Sequence, residues 1–259
     1  MIMSDEIVSR IKKKLTEIEE TENIRILHCV ESGSRAWGFA SPDSDYDVRF
    51  VYVRPAEWYL KLEKTRDVIE WQLDDVYDIS GWDIQKMLRL LYKSNPTVFE
   101  WKNSPIVYRT TEDWKRISEV TDSYFSRTHG IYHYLSTARH NYKEYLRTEE
   151  VRLKKYFYVL RPLLACRWIA DKETPPPMLF SELMEAELES DIRPYVEELL
   201  EKKMQTPEIG TGKRIDELNR WIEQEIRVMK ILAEKTDNTR ERSWEKLDAA
   251  FLGLLEKGE

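Results

Sequence analysis

The sequence predicts an α+β fold in which a mixed sheet with flanking helices precedes a helical domain. Three observations support this prediction: apolar residues at helical spacing open the chain, four strand-like runs follow before residue 80, and no persuasive strand occurs from Glu112 onward. Strands and helices that are segregated along a chain are typical of α+β folds. We therefore expect residues 1–110 to form the first domain and residues 111–259 to form the helical domain.

The first half begins with an amphipathic helix. Ser4 precedes Asp5 and Glu6, which suit the positive end of a helix dipole, and apolar residues recur at helical spacing from Ile7 to Ile18. The regular elements expected next are strands at 24–30, 47–53, 68–73 and 76–79 and a helix at 82–92.

Helical periodicity dominates the second half. The expected helices are 112–121, 130–148, 151–171, 191–204, 213–236 and 241–257. Pro, Gly, Asn and Asp interrupt regular structure, so they predict turns and loops. The expected turns and loops are Asp74-Asp75, Asn95-Pro96, 175–177 and 206–212.

Composition sets the class of protein. The chain has 259 residues, which is enough to bury a core without disulfides. Cys29 and Cys166 lie far apart and outside any CxxC spacing, so we expect buried thiols in a reducing cytoplasm. The chain start lacks the apolar segment of a signal peptide. The sequence also contains no run of about 18 apolar residues, the length needed to span a membrane. A soluble cytoplasmic protein without a membrane partner is expected, and its oligomeric state stays open.

Charge is unevenly distributed, although its formal net value is −7. Residues 181–259 carry the excess of acidic side chains. The window 139–168 instead contains eight lysines and arginines against three glutamates. Local clusters of cations bear on nucleic-acid binding more than net charge does. The window therefore favours RNA as a partner, although lysine and tyrosine also occur on ordinary helix faces.

A Gly-Ser turn follows the first expected strand. Gly33 has no Cβ, so backbone amides at this position can approach a triphosphate closely. Ser34 can offer its hydroxyl to the same oxygens, and Arg35 can add positive charge. The sequence therefore predicts a nucleotide-phosphate loop at these three residues.

Two aspartates follow twelve and fourteen residues after the glycine. Side chains alternate along a strand, so Asp45 and Asp47 are expected on one face while Tyr46 and Val48 point into the sheet. Carboxylates together with substrate phosphates suit Mg²⁺ or Mn²⁺, and such ions stabilise the attacking and leaving oxygens of an in-line displacement. The segment thus predicts phosphoryl or nucleotidyl transfer.

Other interpretations of these residues fit less well. The acidic stretch could be a solvated turn, but a solvated turn does not account for the preceding Gly-Ser loop. A calcium loop that starts at Asp43 would need glycine where Val48 stands and glutamate where Arg54 stands. His129 and His133 have a spacing that zinc sites use, yet no neighbouring residue completes a ligand set, so no zinc is expected.

The Gly-Ser turn followed by a strand D-x-D resembles the pattern of the DNA polymerase β-type nucleotidyltransferase superfamily. Segments 78–86, 93–101 and 154–162 also resemble a group of bacterial and phage nucleotidyltransferases that is loosely associated with RNA repair. The resemblance covers roughly residues 24 to 170. It implies a polymerase β-like mixed sheet with flanking helices, Mg²⁺ or Mn²⁺ as cofactor and an NTP as substrate.

The resemblance also implies a third carboxylate on a strand beside the D-x-D strand. Asp78 is the preferred candidate because it lies in a short apolar-flanked strand before a helix. Asp83 is expected in the first turn of that helix, where the helix dipole favours a negative charge. We therefore expect Asp45, Asp47 and Asp78 to be both the metal ligands and the catalytic residues.

A basic helix could complete the nucleotide site. In a helix that starts near Val151, Lys154, Tyr158 and Arg161 would share one face, from which they could contact the triphosphate or the acceptor. The alternative is a solvated basic face with Tyr158 half buried. Both interpretations stay open.

The function implied by the resemblance is transfer of a nucleoside monophosphate from an NTP to an acceptor hydroxyl, with release of pyrophosphate. Asp45 and Asp47 would hold the metal, Ser34 would steady the triphosphate and Asp78 would assist deprotonation of the acceptor. The 3′ end of a tRNA-like RNA is the favoured acceptor, while a protein hydroxyl and a small molecule stay open. Two rivals are a non-catalytic nucleotide- or RNA-binding module and an adenylyltransferase that acts on a protein partner.

Overall fold

A five-stranded mixed sheet organises the first part of the fold in this computed structural model, which describes residues 5–74, 76–205 and 210–256. Its strands are β1 (Arg25–Glu31), β2 (Tyr46–Val53), β3 (Val68–Leu73), β4 (Tyr77–Asp83) and β5 (Val107–Thr110). The spatial order is β3-β4-β2-β1-β5. Strands β2 and β4 run parallel, whereas the other neighbouring pairs are antiparallel.

Helices make up most of the rest of the described chain. In chain order they are α1 (Asp5–Glu22), α2 (Gly33–Ala36), α3 (Ala56–Tyr59), α4 (Ile84–Tyr92), α5 (Pro96–Lys102), α6 (Glu112–Thr121), α7 (Arg127–Tyr145), α8 (Phe157–Lys172), α9 (Phe180–Glu187), α10 (Arg193–Gln205), α11 (Asp216–Lys235) and α12 (Glu245–Leu255). Two short strands, β6 (Glu150–Arg152) and β7 (Thr211–Lys213), pair antiparallel. The predicted α+β class with a mixed sheet is confirmed.

The fold divides into two compact units, and neither is one continuous stretch. The first contains the described residues of Met1–Ala36, Asp45–Tyr124 and Glu241–Glu259. The second contains those of Trp37–Ser44 and Phe125–Arg240. The two-domain division after residue 110 stays a prediction.

The core of the first unit lies between α1 and the sheet. Ile11, Leu15 and Ile18 are fully buried, as helical spacing predicts for one apolar face. They belong to the same buried cluster as Val48 and Ile79 of the central strands. This burial fixes the register of β2, because a slip of one residue would turn its apolar side chains to the opposite face.

In the second unit, helix α8 contributes the largest run of buried residues. From Leu160 to Cys166 every side chain is buried, including Arg161 and Pro162. A helix that is buried on all sides belongs in the interior of a helical layer.

Several predicted elements need correction. The helix predicted from Val151 begins at Phe157, because residues 150–152 pair with β7 instead and the residues in between form a 3₁₀ turn. The expectation of no strand after Glu112 is therefore wrong. The predicted turn at Asn95-Pro96 is a helix start: the Asn95 side chain accepts from Thr97 N at 2.9 Å, and Pro96 opens α5.

Two predicted turns fall partly outside the described residues. Asp75 of the predicted hairpin turn is not described, nor are residues 206–209 of the predicted loop. Within the described residues, no helix is long and apolar enough to cross a membrane.

Candidate functional site

The pairing of β2 with β4 places two carboxylates side by side. The parallel register aligns Asp47 with Asp78, and it aligns Val48 with Ile79 one position later. Side chains of directly paired residues point to the same face, so the buried apolar pair faces the core and the aspartates face away from it. Both carboxylates stay partly accessible, with 21% and 30% of their side chains exposed. Asp78 thus lies where the predicted third carboxylate should be.

Asp45 stands just before β2, which begins at Tyr46. Its side chain is exposed, and its backbone carbonyl accepts a hydrogen bond from Arg35 Nε at 2.9 Å. Its negative charge is one of the influences that raise the pKa of Asp47. The charge of Asp45 therefore acts on Asp47, although Asp45 itself lies outside the strand.

Arg49 joins the two strand carboxylates. It lies two residues after Asp47 and on the same face of β2. Its Nη2 lies 3.0 Å from Asp47 Oδ1 and 2.5 Å from Asp78 Oδ2, and its Nη1 donates to Asp78 Oδ1 at 2.9 Å. Two carboxylates therefore converge on one cationic group.

Glu31 anchors the backbone of Asp47 from the neighbouring strand. It is fully buried, and its carboxylate accepts from Asp47 N at 2.9 Å and from the hydroxyl of Tyr108. Ser32 N donates to the Asp47 carbonyl at 2.8 Å. Burial raises the pKa of Glu31 to about 7, against the lowering effect of these hydrogen bonds. The backbone of Asp47 is thus held through both its N–H and its carbonyl group.

The predicted phosphate loop lies against the same carboxylate. Gly33 opens the short helix α2 with a φ of 58°, in the left-handed region that favours glycine. A Cβ at this position would overlap Asp47 Oδ2. The chain therefore requires glycine here for two reasons, its φ and its close approach to the carboxylate.

The other two predicted loop residues lie in α2. Ser34 is half-buried. The guanidinium of Arg35 lies 3.9 Å from the centre of the Tyr46 ring, and its positive charge lowers the pKa values of both Asp47 and Glu31. The structure therefore brings Gly33, Arg35 and Asp47 together, as the motif predicts.

The electrostatics of this cluster favour a cation. Burial raises the pKa of Asp47 to about 6; Arg49 lowers it, whereas the charges of Asp45 and Asp78 raise it. Oxygen anions of this kind suit a hard divalent ion such as Mg²⁺. Two of the carboxylates already share one positive group, so the donor set fits a cation.

A complete three-carboxylate metal site is not formed in this arrangement. In the part of the chain that the structure describes, no group of three or more His, Cys, Asp or Glu side chains is placed to hold a metal ion. Asp47 and Asp78 instead pair with the Arg49 guanidinium.

Asp83 has a structural position at the end of β4. It is buried and caps α4, because its side chain accepts from Gln85 N at 2.7 Å and from Tyr59 Oη at 2.9 Å. Burial raises its pKa. Asp83 lies five positions after Asp78, an odd number, so strand alternation directs the two side chains to opposite faces.

Lys154, Tyr158 and Arg161 lie in the second unit, but only Tyr158 and Arg161 belong to α8, where both contact the Trp37 ring. Lys154 belongs to the 3₁₀ turn that precedes α8, and Tyr158 is 38% exposed. Arg161 is buried, and its guanidinium lies 4.7 Å from the centre of the Trp37 ring. Their nucleotide-binding role stays a prediction.

Sequence reasoning missed Glu31, Arg49 and Tyr108. Strand periodicity could have placed Arg49 on the face of Asp47, because the two residues are separated by one position. The pairing of Glu31 with Tyr108 could not be found in this way, because it depends on the register between β1 and β5.

Several known proteins are similar to this chain. A family model described as "RNA repair pathway DNA polymerase beta family" matches residues 7–253. The chain is 47% identical over 241 residues to "Uncharacterized protein YcgL" of Bacillus subtilis (strain 168), with 90% of this chain and 92% of that protein covered. The crystal structure of a nucleotidyltransferase-like protein from Exiguobacterium sibiricum 255-15 aligns at 11% identity with a TM-score of 0.31, covering 95% of this chain and 80% of that one. The family match extends beyond residues 24 to 170 at both ends.

Proposed function

Because the chain belongs to the RNA repair pathway DNA polymerase beta family, we propose that it transfers a nucleoside monophosphate from an NTP to an acceptor hydroxyl and releases pyrophosphate. The observation that carries the proposal is the parallel register that sets Asp78 beside Asp47, with Gly33 packed against the same carboxylate. The favoured acceptor is the 3′ end of a tRNA-like RNA.

Asp45, Asp47 and Asp78 would hold the divalent cation. When bound, Mg²⁺ or Mn²⁺ would neutralise charge on the transferring phosphoryl group and lower the pKa of an attacking hydroxyl. The hydrogen bonds of Glu31 and Ser32 fix the backbone of Asp47, so its carboxylate is pre-oriented. Arg49 pairs with both Asp47 and Asp78 and so keeps together the two carboxylates that would face the cation.

Gly33, Ser34 and Arg35 would bind the triphosphate. The close approach of Gly33 to Asp47 would bring the phosphates next to the carboxylates, because no side chain stands between them. Arg35 would add positive charge beside the phosphates. Asp78 would assist removal of the proton from the acceptor hydroxyl.

We propose a cytoplasmic location on the basis of the two cysteine thiols. Cys29 and Cys166 are free and buried, and burial raises the pKa of both above its ordinary range. Thiols in this state suit the reducing cytoplasm.

The direct test is label transfer from each of four α-labelled NTPs to bulk tRNA, with Mg²⁺ or Mn²⁺. Wild type should label RNA from a preferred NTP, and the double variant Asp45→Ala, Asp47→Ala should not. The matched control is Asp43→Ala, which removes an exposed carboxylate from the same loop and should keep the activity.

Each contrary result has a meaning. Metal-dependent NTP binding without any transfer would favour the non-catalytic binding module. Label in a protein partner instead of RNA would favour the adenylyltransferase alternative. No binding of any NTP would contradict the proposal itself.

A further inference from the structure

A basic groove lies between α7 and α11 in the second unit. It encloses a volume of about 740 Å³, and its lining residues include both helices and the residues just after α7. Its cationic side chains, all exposed, are Arg139, Lys143, Arg147, Arg227 and Lys230.

These five cations carry charge that no nearby carboxylate neutralises within the described residues. Within the described ranges, no ion pair joins any of them to a carboxylate. The two acidic residues of the lining are Glu223 and Glu234. The Glu223 carboxylate already accepts a hydrogen bond from the Tyr142 hydroxyl at 2.5 Å. The groove therefore carries excess positive charge in a protein whose net charge is negative.

The cations form two facing rows. Arg139 and Lys143 are four residues apart on one face of α7, and Arg147, two residues after the helix ends, lines the groove beside them. Arg227 and Lys230 are three residues apart on α11 and line the groove from the other side. Several cations along a groove complement a polyanionic chain better than a single small anion.

Aromatic groups stand among the cations. Tyr132 is 46% exposed, and Tyr142 also lines the groove. Exposed aromatic rings beside cations are the combination that single-stranded nucleic acids use, because bases stack on the rings while phosphates contact the cations. An acidic protein segment would use the cations but would not require exposed rings.

We propose that the groove between α7 and α11 binds the phosphate backbone of RNA. That this RNA is the nucleotide acceptor rests on the proposed function, whereas RNA binding by the groove does not. Affinity is expected to come from released counterions, so binding should weaken steeply as salt concentration rises.

The test is fluorescence anisotropy of a labelled single-stranded RNA, titrated without NTP or divalent metal at several salt concentrations. Arg139→Glu with Lys143→Glu should weaken binding about tenfold or more at low salt, and it should reduce the slope of log affinity against log salt by about 1.4. The matched control, Lys12→Glu with Lys13→Glu, makes the same charge change on exposed positions of α1 and should leave the slope unchanged. Thermal unfolding of both variants checks that each is folded.

Equal affinities and equal slopes for wild type and the groove variant would overturn the inference. So would an equal loss in the α1 control, because it would mean that net charge alone governs binding. Transfer to RNA by the groove variant at saturating RNA would support the inference, since the carboxylates are unchanged. Groove-dependent RNA binding by a wild-type protein that transfers no label would contradict the proposed function and support this inference.

Discussion

The β2–β4 carboxylates and the α7–α11 groove handle charge in opposite ways. On the sheet, Asp47 and Asp78 share one guanidinium and the backbone is fixed by further hydrogen bonds. In the groove, the five cations have no acidic partner within the described residues. Paired and half-buried charges fix the positions of a few atoms, whereas unpaired exposed charges attract a polyanion over a distance. The sheet thus fixes the positions of its carboxylates, whereas the groove is suited to attract a polyanion.

Apart from the loss of a carboxylate itself, the largest effect is expected at the phosphate loop. Gly33→Ala places a methyl group against Asp47 Oδ2 at a backbone conformation that favours glycine. Transfer activity should fall about 100-fold, because small displacements of catalytic groups are costly. Gly253→Ala is the matched control, since its added Cβ would meet no other part of the protein beyond its own helix backbone within 4 Å. If both variants keep full activity, the close approach has no role in transfer.

The second effect concerns the paired charges alone. Arg49→Met removes the cation between Asp47 and Asp78 while it keeps much of the side-chain volume. The free energy of unfolding should fall by about 1 to 3 kcal/mol at pH 8, because the hydrogen bonds to two charged groups are lost. The pKa of Asp47, which Arg49 lowers, should rise above about 6. Denaturant unfolding and carboxyl NMR titration measure the two quantities, and an unchanged Asp47 pKa would contradict the pairing.

The third effect is a pH dependence with two opposing parts. Burial lowers the pKa of His28 from 6.5 to about 4, so the unfolded state binds more protons in this window and stability falls as pH falls through it. Burial raises the pKa of Glu31 from 4.5 to about 7, so the folded state binds more protons and stability falls as pH rises through that window. Each part amounts to about 3 kcal/mol at most.

Single variants should separate the two parts. Glu31→Gln should leave a protein that loses stability as pH falls from 6.5 to 4, and His28→Phe should leave one that loses stability as pH rises from 4.5 to 7. Asp47, whose pKa is also raised, adds to the second trend. Denaturant unfolding at a series of pH values measures both slopes. Identical slopes in the two variants would mean that these groups are not buried as described.

The smallest effect belongs to one groove cation. Lys230→Ala should weaken RNA binding about two- to fourfold at low salt and reduce the salt slope by about 0.7. Thermal stability should stay unchanged, since Lys230 is exposed and forms no ion pair within the described residues. A loss of thermal stability without a change in the salt slope of RNA binding would mean that the Lys230 side chain packs against the protein. Lys230 would then not be an unpaired charge of the kind proposed for the groove.

Much of the first unit could be predicted from the sequence. The apolar spacing of Ile11, Leu15 and Ile18 predicts α1, and the Gly-Ser turn before Asp45 and Asp47 predicts the site, because both signals are local. The strands β6 and β7 were missed because each has three residues and gains its hydrogen bonds from a distant partner.

The charge partners were less predictable for the same physical reason. The Arg49 bridge depends on the register between β2 and β4, and the groove depends on α7 facing α11. The basic window 139–168 signalled one side of the groove only. Arg227 and Lys230 lie in the C-terminal third, where acidic side chains outnumber basic ones, so a charge count does not reveal these two cations.

The most direct test of the central claim compares Asp78→Asn with Asp83→Asn in the label-transfer assay. If the carboxylate beside Asp47 serves the reaction, Asp78→Asn should lose about 1,000-fold or more in transfer while it stays folded. Asp83→Asn should keep an acceptor for the α4 cap, because Asn and Asp are comparable N-cap residues, and it should keep most of its activity per folded molecule. Full activity in Asp78→Asn, with loss only in Asp83→Asn, would contradict the account.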